Sequence, residues 1–230
     1  MLSAMRRKLH AIRNRLRQAY GRPRLRPHHR PIDELILTVL SQNTNDRNRD
    51  VAYMRLRERF PSWEAVRRAP EDEVEEAIRP GGISRIKASR IQAILDDLDG
   101  DELEWMERAP IEKGRERLVE LPGIGRKTAA CVLLFAYGIP DVPVDTHVFR
   151  VGGRLGFWPA KSKLEDAHDL LTSLADDGAD AYEIHTNLLR HGRRICTARA
   201  PQCEACPLLS LCPYGKALLP QRSETGQSPS

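Results

Sequence analysis

The chain has 230 residues, with 37 Lys/Arg against 32 Asp/Glu and a net charge of +5. That length can bury a sizeable core in one or two domains. No apolar run is long enough for a membrane-spanning helix, and no stretch alternates β-branched residues as a strand would, which leaves an all-α reading.

The charge is uneven. Residues 1–30 hold ten bases (Arg6, Arg7, Lys8, Arg13, Arg15, Arg17, Arg22, Arg24, Arg26, Arg30) and no acid, leaving 27 bases against 32 acids in the remainder. An acid-free, arginine-rich start predicts a polyanionic partner, most simply nucleic acid. A solvated helix face and an organelle transit peptide compete with that reading, and the scarcity of serine speaks against transit.

In chain order, Leu2, Met5, Leu9, Ile12, Leu16 and Tyr20 share one face of a helix over 2–20. Pro31 opens a short apolar helix to Leu40. Asp46 is expected to cap a helix running to Phe60, Ser62 and Pro70 to start two short ones, and Ser84 a longer one to Leu98. A helix over Arg115–Glu120 precedes Pro122. Residues 126–137 are apolar nearly all round, which predicts a central, buried helix. A helix from Asp145 is expected to stop at Gly152-Gly153. Two more, 164–175 and 181–192, complete the set. Residues 31–139 read as one bundle and 140–214 as a second lobe. The polar end of the chain reads as a disordered tail.

Two segments carry chemistry. In Leu121-Pro122-Gly123-Ile124-Gly125-Arg126-Lys127, Pro122 ends one helix, and Gly123 and Gly125 permit positive φ for a tight reversal into the next. Such a hairpin aims backbone N–H groups at an anion. An ordinary helix–helix turn is the plainer alternative. Arg126 and Lys127 then sit at the positive end of a helix dipole, a placement disfavoured by up to about 1 kcal/mol. A local rule broken in this way marks either a phosphate contact or a lysine kept ready as a nucleophile. Asp145 lies within reach of Lys127 along the chain. It could take a proton or stabilise a sugar cation, and it is also a good N-cap.

Near the C-terminus Cys196, Cys203, Cys206 and Cys212 stand in a C-x6-C-x2-C-x5-C pattern. Four thiolates suit one tetrahedral zinc or one [4Fe–4S] cluster, and the spacing leaves both open. Disulfides are disfavoured, because no signal peptide is evident and Cys131 makes the cysteine count odd.

Taken together, LPGIGRKTA (121–129), VDTHVFR (144–150) and HGRRIC (191–196) with the cysteine spacing resemble the endonuclease III branch of the helix–hairpin–helix DNA glycosylases. LTVLSQNTNDRN (37–48) is similar to the segment that fills the gap left by a flipped base, and GGISRIKASRI (81–91) to the segment supplying an apolar wedge. The resemblance runs from about residue 8 to 214. It implies an all-α, two-domain fold. One domain is a six-helix bundle over 31–139 with the hairpin. The other joins 1–30 to 140–214 and holds a [4Fe–4S] loop at 196–212, with a tail over 215–230.

The resemblance further implies a base-excision glycosylase acting on double-stranded DNA that carries a damaged base or an abasic site. Lys127 would attack the sugar and Asp145 assist, with β-elimination through a Schiff base. DNA would be met by Gln42 or Asn43, by Ile83, by Gly123, Gly125 and Arg126 of the hairpin, and by Arg193 and Arg199 of the cysteine loop. The expected substrate is an oxidised pyrimidine, and the enzyme is expected to be monomeric and, in a bacterium or archaeon, cytoplasmic and nucleoid-associated. A uracil- or thymine-mismatch glycosylase on the same scaffold is the alternative enzyme. A non-catalytic DNA-binding or redox-sensing iron–sulfur protein is the alternative from another class. The chain departs from the family's commonest L-S-A-Q-A-T-D form, and the Trp105-Met106 region has no clear counterpart.

Overall fold

A computed structural model describes residues 2–219. Among them are twelve α-helices: α1 (Leu2–Tyr20), α2 (Pro31–Ser41), α3 (Asp46–Arg59), α4 (Trp63–Arg68), α5 (Glu71–Ile78), α6 (Ser84–Leu98), α7 (Ile111–Glu120), α8 (Arg126–Tyr137), α9 (Thr146–Arg154), α10 (Leu164–Leu174), α11 (Gly178–Arg194) and α12 (Pro213–Leu218). No helix among the described residues is long and apolar enough to cross a membrane. Four residues of the expected tail, Gly215 to Leu218, lie in α12, and Gly215 is buried there. The tail expected beyond Leu219 lies outside the described residues.

The chain divides into two compact units. One comprises Arg24–Pro143 and Ala175–Tyr182. It holds seven α-helices, α2 to α8, rather than six. α8 is its centre, with Ala129, Ala130, Val132, Leu133 and Leu134 fully buried, and α2 packs along it through Leu35, Ile36, Val39 and Leu40. Each fully buried Leu or Ile contributes about 1.5–3 kcal/mol, and the same core takes in Leu56, Ile78, Ile91, Ile94 and Leu118 from the surrounding helices. Segment 175–182 groups here rather than with the C-terminal lobe. The reason is a backbone approach that only glycine allows: a Cβ on Gly178 would lie 1.9 Å from the Gly138 carbonyl oxygen. Tyr182 then sets its ring edge-on to Phe135, centroids 5.7 Å apart.

The other unit is made of the described parts of Met1–Pro23, Val144–Leu174 and Glu183–Ser230. Leu9, Ile12 and Leu16 of α1 are buried as the periodicity requires, whereas Leu2 is exposed. The α1 bases are spent inside this unit. Arg6 donates to Ser173 O, Lys8 to Leu155 O, and Arg15 to Pro207 O and the Ser210 hydroxyl. Arg17 forks onto Glu183 at 2.7 and 2.6 Å. These four bases of the arginine-rich start are therefore structural, each closing on a carbonyl, hydroxyl or carboxylate of the same unit.

Three helix ends differ from expectation. Asn45, not Asp46, caps α3, its Oδ1 accepting from Asn48 N at 2.9 Å. α7 begins four residues before Arg115, because Gly114 does not break it but lets it approach α8: a Cβ there would lie 3.1 Å from Leu133 Cδ2. α9 runs through Gly152-Gly153, since the Trp158 indole lies where a Gly152 Cβ would be, 2.1 Å from Cη2.

Candidate nucleic-acid interface and metal centre

The hairpin joins α7 to α8. Gly123 has φ +71° and so uses glycine's left-handed freedom. Gly125 does not: its φ is −100°. What Gly125 supplies is room, since nothing lies within 4 Å of where its Cβ would be. It is the N-cap of α8 and offers no side-chain bond, so the first-turn N–H groups face open space, as anion binding requires. Buried Ile124 anchors the turn from beneath.

Arg126 was expected at phosphate and is instead part of the fold. Its Nη1 and Nη2 donate to Asp141 at 2.8 Å each, and Arg115 of α7 donates Nε to the same carboxylate at 3.2 Å. Asp141 is fully buried. One carboxylate thus ties both arms of the hairpin and offsets the cation at the positive end of α8. The dipole conflict noted for the Arg126-Lys127 pair is offset at Arg126 by this carboxylate, and Lys127 lies half-buried in the same turn.

In the other unit, Asp145 is the N-cap of α9, its Oδ1 accepting from Val148 N at 2.7 Å. The cap takes one oxygen and leaves Oδ2 for a second role. Arg150, one turn on, donates to Cys196 O at 3.0 Å and Gly192 O at 2.8 Å, which fixes α9 to the start of the cysteine loop.

The two loops expected at the DNA are both strained. Ile83 precedes α6 at φ 41°, ψ 41° and is 47 % exposed. A β-branched side chain in that region is an outlier that costs about 1–2 kcal/mol. Asn43 also has positive φ, +52°, and is exposed. Its neighbour Gln42 is half-buried, and its Oε1 accepts from Arg90 Nη1 at 2.6 Å. Gln42 is thus held by Arg90, whereas Asn43 is exposed. Lys87 is fully buried and donates to Leu40 O at 2.7 Å and Gly81 O at 2.8 Å, which ties the two loops together from behind. Burial lowers its pKa to about 8. Sequence reading missed Lys87 and Arg90, because each acts on partners distant in sequence.

All four C-terminal cysteines are free thiols lining one cavity together with Arg154, His191 and Tyr214. One cavity lined by four thiols offers the ligand number that a [4Fe–4S] cluster takes. N–H donors face the sulfurs, as ligating thiolates require. Arg154 Nη1 donates to Cys196 at 3.2 Å, Leu208 N to Cys206 at 3.4 Å and Gly215 N to Cys212 at 3.3 Å. Burial pushes the Cys203 and Cys206 thiols up, and the neighbouring cysteines add to it, a penalty that a bound cation removes.

His191, in which sequence alone shows no ligand pattern, joins Tyr20 Oη at 3.0 Å to Cys206 Sγ at 3.5 Å. Burial lowers its pKa to about 4, so the ring is neutral. With Nδ1 accepting from the tyrosine, Nε2–H donates to sulfur. Arg193 and Arg199 are exposed on either side of Cys196.

An all-helical fold with an open-turned hairpin and a four-thiolate loop defines a DNA-repair class of protein that carries an iron–sulfur cluster. Residues 36–175 match the model described as HhH-GPD superfamily base excision DNA repair protein, and residues 196–212 the iron-sulfur binding domain of endonuclease III. The chain belongs to this superfamily and, within it, to the endonuclease III family. It is 34 % identical over 192 residues to endonuclease III of Synechocystis sp., covering 81 % of this chain and 83 % of the relative. It is similar to a solved non-covalent endonuclease III–DNA complex, with TM-score 0.77 and 31 % identity over 92 % of this chain and 97 % of that one. It is also similar to a trapped endonuclease III–DNA covalent intermediate, with TM-score 0.76 and 31 % identity over 94 % and 98 %. The cofactor of the cysteine loop is a [4Fe–4S] cluster, and the residues that would hold it are the four cysteines lining the cavity, Cys196, Cys203, Cys206 and Cys212.

Proposed function

We propose that this chain is a bifunctional DNA glycosylase and abasic-site lyase that removes oxidised pyrimidines from double-stranded DNA. It acts as a monomer on cytoplasmic, chromosomal DNA, with Lys127 as nucleophile and Asp145 as its assistant. The observation that carries the roles is the placement of Lys127 in the first turn of α8, directly after the hairpin; the positive end of a helix dipole favours the neutral amine that attack requires. Membership of a base excision repair family and the trapped covalent complex of a relative support the reading.

The base is drawn out of the stack first. Ile83 wedges the duplex and Asn43 fills the gap. The Lys127 amine then bonds to C1′ as the C1′–N bond breaks, and the base leaves with the electron pair. The Asp145 carboxylate stabilises the positive charge that develops on the sugar. Loss of the amine proton and opening of the sugar ring give an imine. A proton then leaves C2′, and its electrons expel the 3′ phosphate. The hairpin amides, Arg193 and Arg199 hold backbone phosphates on either side.

Borohydride reduction in the presence of damaged duplex tests this. It should trap wild type covalently, whereas Lys127→Gln should be neither trapped nor able to cleave, yet still bind. A duplex panel of thymine glycol, dihydrouracil, uracil, a G·T mismatch and an abasic site should show turnover of the first two. Preference for uracil or G·T would move the substrate to the mismatch class. Binding without any cleavage would leave a non-catalytic iron–sulfur protein.

A further inference from the structure

Helix α6 holds three DNA-facing loops from one side. Lys87 reaches the carbonyls of Leu40 and Gly81, just ahead of Gln42 and Ile83. Arg90, one turn later, reaches the other two landmarks. Its Nη1 donates to Gln42 Oε1 at 2.6 Å. The rest of its guanidinium lies flat across the hairpin turn, with Nε, Cζ and Cδ 2.4, 2.8 and 2.9 Å from where a Gly123 Cβ would be. The planar fork therefore fills the space that the missing side chain leaves and points one nitrogen at the Gln42 amide. Gln42 is extended, at φ −63° and ψ 127°, and the next residue turns at once into the left-handed region. Fixing the Gln42 side chain thus fixes the direction in which Asn43 projects.

We propose that Arg90 is a positioning residue for base removal: laid across Gly123, it locks Gln42 so that Asn43 is presented for insertion into the duplex. This rests on the reading that Asn43 fills the gap. A plain phosphate contact by Arg90 is the rival, and its chemistry differs. Removing a phosphate contact lowers the salt slope of binding by about one unit. Removing a brace leaves that slope alone. A lysine can replace a point charge, but not a fork that must lie flat and aim a nitrogen sideways.

The test compares Arg90→Leu, Arg90→Lys, Gln42→Leu, Asn43→Ala and the Arg90→Leu/Asn43→Ala pair in the cluster-loaded protein. Single-turnover base removal on thymine-glycol duplex and the salt dependence of binding are measured. We expect Asn43→Ala, Arg90→Leu and Gln42→Leu each to slow base removal about tenfold. The pair should be no slower than Asn43→Ala alone. The salt slope of Arg90→Leu should match wild type, and Arg90→Lys should not rescue. If the two effects multiply, if the slope falls by one, or if lysine restores the rate, Arg90 is a phosphate contact and the proposal is wrong while the role of Asn43 stands. If Asn43→Ala is as fast as wild type, the Asn43 reading fails and takes the proposal with it. Should Arg90→Leu not fold, Gln42→Leu decides alone, since it removes the acceptor and leaves the guanidinium in place. A wild-type rate there overturns the brace.

Discussion

Asp141→Asn is the sharpest probe of the hairpin. The carboxylate is fully buried and accepts three charge-assisted bonds, two from Arg126 and one from Arg115. Arg126 itself is only 12 % exposed. Removing one partner of such a pair costs about 3–5 kcal/mol, most of it from the cation left behind. Asparagine keeps one acceptor oxygen but turns a donor toward an arginine, so the expected loss is about 3 kcal/mol. For a chain of this size each kcal/mol moves the melting midpoint by about 2–4 °C, so the drop should be roughly 6–12 °C. Thermal melts and urea titrations measure it, and the urea slope should stay constant if only stability has changed. Arg126→Met in the Asp141→Asn background should recover part of the loss, with a coupling of about 1.5 kcal/mol or more. A loss below about 1 kcal/mol for Asp141→Asn would mean that water already serves Arg126, and the structural assignment of that arginine would fall.

Asp145→Asn should keep the α9 cap and melt within about 0.5 kcal/mol of wild type, because Asn caps about as well as Asp, yet lose base removal by a hundredfold or more. Asp145→Ala should lose both, and a fast Asp145→Asn would deny the carboxylate a chemical role. Purified protein should be yellow-brown and contain about four iron per chain, and one zinc with no iron would contradict the cluster assignment. The Lys87 pKa is depressed on folding, so between pH 8 and 10.5 the unfolded chain binds more protons and stability rises with pH. The wild-type minus Lys87→Met difference in unfolding free energy should therefore climb by up to about 3 kcal/mol across that window, and a flat difference would refute the buried charge. Ile83→Asn should stabilise the fold by about 1 kcal/mol by relieving left-handed strain while slowing base removal, and an unchanged rate would remove Ile83 from the interface.

Much of the helical frame was legible because its signals are local. α8 is apolar nearly all round and has a glycine immediately before and after it, so its span could be read from the chain directly. Two of the errors involve glycine. Gly152 was read as a breaker and Gly114 was left outside its helix, whereas both sit inside helices where a missing Cβ allows close packing, against Trp158 and Leu133. Whether a glycine stops a helix or thins it depends on a neighbour that the local sequence does not name. The same holds at the candidate site. The family, the cofactor and the repair class follow from short motifs. The roles of Arg126, Gln42 and Asn43 turn on partners 15 and 48 residues away, Asp141 and Arg90.

The first helix and the last loop belong to the same unit, and α1 closes on groups made late: Arg15 on Pro207 and Ser210, Arg17 on Glu183. During synthesis, Leu9, Ile12 and Leu16 emerge well over a hundred residues before these partners exist. The intervening residues Arg24–Pro143 carry their own core and can collapse in the meantime. Closing so long a loop is slow but costs only modestly more entropy than closing a short one. Docking of α1 is therefore a long-range closure, made only after residues far along the chain have been synthesised.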